Sequence, residues 1–247
     1  MSRSQLLLLR VLERCPSDSH KYAGLVLWQQ ILRFDFQPKP TLVSNLPPQL
    51  RISDSGYDSF LRQENDGEIQ MNSLVQAWID VAPVHLLEIA CEHITRAFQQ
   101  LASFHLNSTE NLSDRMSFKR SAIERHSQDS IRTVADDVID FARDSLIRLI
   151  VVDPQDARLW IDRALKSDVP LLRRIAVHGL EHDASRSADH RMQMIVELNL
   201  LDDIHLHHEV YHLMAELVPT ISADALDRFV DHLLASWRQY DGENRDV

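Results

Sequence analysis

The sequence predicts an all-α protein, with helical hairpins stacked as an α-solenoid or packed as an irregular helical bundle. Glycine scarcity is the first reason: the 247 residues contain 5 glycines, against a usual share of roughly 7%. Tight hairpins, phosphate-cradling loops and nucleotide-binding turns need glycine for positive φ, so a Rossmann fold, a P-loop and most all-β architectures are disfavoured. Apolar residues recurring at spacings of three and four are the second reason. The third is composition: 44% hydrophobic and 26% charged residues are enough to build an ordinary globular core.

The elements follow in order. Residues 1–33 read as an N-terminal helical hairpin, Ser4 to Arg14 and His20 to Arg33, divided at Cys15-Pro16-Ser17-Asp18, where proline stops one helix and Ser or Asp caps the next. Residues 34–70 read as an irregular polar connection, because Pro38, Pro40, Pro47, Pro48, Gly56 and Gly67 interrupt any apolar period. Leu42, Leu46, Leu50, Ile52, Phe60 and Leu61 would hold it to the surface. From 71 to 239 the pattern is a helical array. Val84, Leu87, Cys91, Ile94, Phe98 and Leu101 form one stripe. A polar break at 107–114 precedes a long segment to Val152, whose inward face is Ile131, Val134, Val138, Phe141 and Leu149. Asp153-Pro154 stops and restarts the chain. Helices are then expected at 155–167, 169–182, 187–199, 206–218 and 222–238, the last carrying Leu226, Phe229, Val230, Leu233, Leu234 and Trp237. Residues 240–247 form a polar tail.

A formal charge of −11 repels phosphate backbones, so no nucleic acid is expected as a partner. The apolar run Leu6 to Leu9 ends at Arg10, too short for a signal peptide or a membrane span; no membrane association and a cytoplasmic location are expected. Cys15 and Cys91 sit in helical apolar patterns and read as reduced core residues, a single disulfide between them being the alternative.

Alternate helix starts after residue 154 recur at spacings near those of helical repeats. Asp168-Val169-Pro170-Leu171-Leu172-Arg173-Arg174-Ile175-Ala176, with Leu180, resembles the opening of a HEAT or armadillo-like repeat helix. The segment from Ala122 to Ala235 is also similar to a helical domain of unknown function that accompanies sirtuin-like or NTPase domains in bacterial phage-defence proteins. The residues carrying that likeness are Ala122 to His126, Pro170 to His178, His208 to Leu213 and Pro219. This resemblance implies a non-enzymatic partner module, either a fragment or a stand-alone relative of a larger bacterial protein. It implies no cofactor.

His208-Glu209-Val210-Tyr211-His212 spells HExxH. On a helix the two histidines lie about 400° apart and nearly superpose, so they could bind one zinc while Glu209 activates a metal-bound water. A random shuffle of this composition yields the string in roughly one sequence in thirty, and no third ligand is evident. Leu206, Val210, Leu213, Met214 and Leu217 cluster on one side, which turns His208 and His212 outward. The reading is therefore an interaction module that binds another protein or another domain, with no catalytic, cofactor or metal residues. The alternative is a zinc-dependent hydrolase using His208, Glu209 and His212. Asp136, Asp137 and Asp140 read as a solvated helix face. His178, His182 and His190, around Asp183, read as ordinary capping and exposed residues. Trp28, Trp78, Trp160 and Trp237 read as core anchors.

Overall fold

Helices dominate the computed structural model, which describes residues 11–12, 21–33, 35–38, 61–64, 73–103, 120–124 and 134–243. The fold is all-α. The expected features at Ser4 to Arg14, Cys15, residues 39–60, the 107–114 break and Ile131 fall wholly or largely outside those residues. The chain divides into two compact units, Met1–Val152 and Asp153–Val247. That division falls within the 71–239 stretch, at the Asp153-Pro154 restart.

In the first unit, α1 spans Lys21–Ile31, α2 Ser73–Val81, α3 Pro83–Ser103 and α4 Val134–Val152. The long pair α3 and α4 forms the centre, α2 packs on both, and α1 packs on α3. Gly24 explains how α1 reaches α2: a Cβ there would lie 1.9 Å from Trp78 Cη2. Trp28, fully buried, meets Phe141 of α4 at a centroid distance of 4.8 Å. On α3 the buried row is Leu86, Leu87, Ala90, His93, Ile94, Ala97 and Leu101. Val84, Cys91 and Phe98 of the expected stripe are only half-buried, because the small Ala90 and Ala97 set the line of closest approach.

Three departures from the sequence reading occur here. Asp35–Pro38 (β1) and Leu61–Glu64 (β2) pair antiparallel, Asp35 opposite Glu64 and Pro38 opposite Leu61, so the irregular connection is closed at its base by a short ribbon. Asp137 and Asp140 are fully buried, which overturns their assignment to a solvated face. Arg120, itself 2% exposed, bonds Asp140 together with Arg143, whose Nη1 donates to Asp140 Oδ1 at 2.8 Å. The carboxylate is tolerated inside because two guanidinium groups balance it. Residues 120–124 are not helical, so the segment before Val152 is not one continuous helix.

In the second unit, α5 spans Pro154–Ala164, α6 Pro170–His182, α7 Ala188–Glu197, α8 His207–Leu217 and α9 Ala223–Glu243. The last of these runs on into the stretch expected as a polar tail. Their starts are chemically marked. Asp153 accepts from Asp156 N at 3.1 Å ahead of Pro154, and Ser187 accepts from His190 N at 3.2 Å. Asn199, at φ 48° and ψ 42°, leaves the helix in the left-handed region after α7, a conformation asparagine tolerates. Asp189 of α7 accepts from Ser222 Oγ at 2.7 Å and Ser222 N at 2.8 Å. Ser222 in turn accepts from Ala225 N at 3.2 Å, opening α9. These hydrogen bonds hold the Asp189 carboxyl below its ordinary pKa.

The core of this unit contains Ile161, Leu171, Ile175, Ala176, Ile195, Leu206, Val210 and Leu213. Trp160 is buried with them, as Trp28 and Trp78 are in the first unit; the side chain of Trp237 lies outside the description. Arg186 fastens the turn between α6 and α7. It donates to Asp183 Oδ2 at 2.9 Å and Asp162 Oδ1 at 2.7 Å, tying that turn back to α5. Asp183 is thus a buried structural anchor, 1% exposed. Only Ala225 and Phe229 of α9 are buried among the described side chains, while Leu226, Val230, Leu233 and Leu234 are 37–46% exposed.

Candidate functional site on the α6 and α8 faces

The HExxH string occupies the first turns of α8. His208, Tyr211 and His212 are exposed, while Val210, Leu213 and Leu217 point into the core with Leu206. Glu209 joins the buried set at 3% exposure. It stands three residues after Leu206 and four before Leu213, the spacing of one helical row.

Arg174 of α6, 4% exposed, meets Glu209 there. Arg174 Nε donates to Oε2 at 2.9 Å and Nη2 donates to Oε1 at 2.7 Å, a two-pronged geometry that occupies both carboxylate oxygens. A general base must reach a water bound on the histidine side of its helix. Glu209 instead has both carboxylate oxygens taken by a buried guanidinium, while His208 and His212 are exposed.

A second grouping lies along α6. His178, Glu181 and His182 place one ligand atom each within 4.8 Å of one another. His178 is 5% exposed, Glu181 half-buried and His182 exposed. The imidazole rings of His178 and His182 stand 4.6 Å apart at 51°. His182 Nδ1 lies 3.0 Å from the His178 carbonyl oxygen. His212 Nδ1 of α8 lies 3.2 Å from Glu181 Oε2. Burial pushes the Glu181 carboxyl up, with His212 opposing that shift.

The residues expected to be ordinary thus supply the clustered donors, and the residues of the recognised string do not converge on one point. The signal was available in the sequence: His178-Gly179-Leu180-Glu181-His182 reads His-x-x-Glu-His, a zinc-motif order that reverses HExxH. Of the three, only His178 departs from an exposed or capping role, because α6 runs to His182 and carries it on the inner side. His190 is exposed. Cys91 is a half-buried reduced cysteine. Among the described residues, no helix is long and apolar enough to cross a membrane.

Compared with known proteins, the chain matches no family model, no curated protein and no solved structure.

Proposed function

We propose that the chain is a non-enzymatic helical module that binds another protein, or another domain of a longer chain, through the outer face of a HEAT-like stack. The observation that carries this reading is the stripe Leu226, Val230, Leu233 and Leu234, apolar at helical spacing yet 37–46% exposed on α9. Solvent-facing helices ordinarily present polar side chains there. Such a stripe suits an amphipathic helix laid against it. Beside it, Met192, Val196, Ala225 and Phe229 line a groove of about 300 Å³ between α7 and α9, rimmed by Asp189, Glu197 and Arg228.

The order of the stack is supported by cross-helix register. Arg174 meets Glu209 and, further along both helices, Glu181 meets His212. Rising numbers pair with rising numbers, so α6 and α8 run in the same direction, as equivalent helices of successive repeats do. The contacts are separated by 35 residues for Arg174 to Glu209, 33 for Asp189 to Ser222 and 30 for Arg173 to Asp203. Separations of 30 to 35 residues fall in the range of helical repeats, which supports pairing α6 with α8 and α7 with α9. The resemblance to defence-associated helical domains agrees with a module serving a catalytic partner, and the −11 charge argues against nucleic acid.

The test compares affinity capture by wild type with capture by Leu226→Asp/Leu234→Asp, each checked by circular dichroism. The reading expects a stoichiometric protein partner retained by wild type and lost by the variant with helicity unchanged. Zinc-dependent hydrolysis that Glu209→Gln abolishes, without loss of stability, would overturn it in favour of the hydrolase.

A further inference from the structure

We infer that His178, Glu181 and His182 form a binding site for a borderline divalent cation of the zinc, cobalt or nickel type, with His212 as the partner that orients Glu181. The donors come from one rigid stretch of α6, at positions i, i+3 and i+4, which helical geometry puts on a single face. Their ligand atoms lie within 4.8 Å of one another. Bonds of about 2.1 Å in a tetrahedral site place donors about 3.4 Å apart. Closing that gap needs side-chain torsion changes of His182 and Glu181, without movement of the helix.

The chemistry of the donor set selects the ion. Two imidazole nitrogens and one carboxylate oxygen suit zinc and its neighbours, whereas calcium and magnesium favour all-oxygen shells. Three protein donors leave a fourth position to water or an added ligand. His182 is exposed, so that position opens toward solvent and the metal can exchange.

Two further contacts are those a metal site requires around it. His182 Nδ1, 3.0 Å from the His178 carbonyl, donates its hydrogen there and keeps the lone pair on Nε2, the arrangement that orients ligating histidines. His212 Nδ1, 3.2 Å from Glu181 Oε2, steers the carboxylate and leaves Oε1 for the ion. The site shares no metal ligand with the hydrolase reading of the HExxH string, because His208 and Glu209 lie outside it and His212 acts only through Glu181.

Zinc chloride titrated calorimetrically into the full chain, purified without a histidine tag, tests the site, with cobalt(II) absorption reporting coordination. Wild type is expected to take up one equivalent, to show tetrahedral cobalt bands and to gain melting temperature with zinc. His182→Gln, at an exposed position, should remove that equivalent while keeping the metal-free melting temperature. His178→Gln should do the same, though its burial makes His182→Gln the decisive variant. His212→Gln should weaken binding by about tenfold or more, as loss of an orienting partner does. His208→Gln should bind as wild type. The inference fails if wild type binds no stoichiometric zinc, if His182→Gln binds as tightly as wild type, or if His208→Gln abolishes binding. Since none of these readouts involves a protein partner, the site and the interaction surface stand or fall separately.

Discussion

Glu209→Gln separates a structural carboxylate from a catalytic one. The Arg174 and Glu209 side chains are 4% and 3% exposed and share contacts of 2.7 and 2.9 Å. Removing one charge leaves the Arg174 guanidinium facing a neutral amide that can accept only one of its two bonds. Breaking a buried ion pair from one side costs about 3–5 kcal/mol, a large fraction of a domain's usual stability of roughly 5–15 kcal/mol. Replacing both residues with apolar side chains of similar volume, Arg174→Met with Glu209→Leu, removes the stranded charge and should recover most of that loss. Urea unfolding followed by circular dichroism measures the single variants and the double variant, and the coupling energy follows from the cycle. The reasoning is refuted if Glu209→Gln loses less than about 1 kcal/mol, the range of a surface pair, or if the double variant is no more stable than the singles.

Other outcomes follow from the same contacts. Ile175→Asp, at a fully buried position, should cost at least about 4 kcal/mol through lost packing and a stranded charge; unchanged melting would show the α6 face is wrongly assigned. Gly24→Ala places a methyl 1.9 Å from Trp78 Cη2 and should destabilise by about 1–3 kcal/mol, seen as a lowered urea midpoint, whereas a raised midpoint would show that the two helices do not meet there. Asp189, with its pKa lowered by Ser222, stabilises α9 above the ordinary carboxylate value of 3.8 and ceases to as the pH falls through its lowered folded value. The advantage of wild type over Asp189→Asn in thermal melts should therefore shrink on acidification, and a constant difference would contradict the capping contact. His208→Gln, at an exposed site, should shift stability by no more than about 0.5 kcal/mol.

Helix identity was legible because apolar spacing and capping residues agree: Asp153-Pro154, Ser187 and Ser222 each stand at a helix start. The outward turn of His208 and His212 was legible for the same reason, since Leu206, Val210, Leu213 and Leu217 define the opposite side. Charged residues were not. Asp137, Asp140 and Glu209 carry the formal signature of a solvent face, and for Asp140 and Glu209 a partner distant in sequence helps to bring the carboxylate inside. Arg120 lies 20 residues from Asp140 and Arg174 lies 35 from Glu209. Periodicity records what one helix offers, whereas burial of a carboxylate depends on what the neighbouring helix supplies. The α9 stripe errs in the opposite direction: its spacing marks an apolar face, but no spacing states whether another element covers it. The β1–β2 ribbon, four residues per strand, is at the lower limit of the alternation that announces a strand.

The buried charges also bear on why α6 and α8 keep one register. Apolar burial of the kind Ile175, Val210 and Leu213 undergo is non-directional, so an apolar seam between α6 and α8 alone would tolerate sliding by one turn. A bidentate pair does not tolerate it. A shift of one helical turn, about 5.4 Å, would carry Glu209 out of reach of both Arg174 nitrogens and strand two desolvated charges together. Polar pairs spaced along the interface, Arg173 with Asp203, Arg174 with Glu209 and Glu181 with His212, each set the same alignment. In this reading the carboxylate of the HExxH string sets the alignment of α6 and α8, and the exposed His212 lies against Glu181 of α6. The paired substitution Arg174→Met with Glu209→Leu tests this as well as stability: if alignment resides in the pair, the double variant keeps its helicity and much of its stability while its amide resonances multiply, reporting more than one register. A single set of resonances would show that apolar packing alone fixes the alignment.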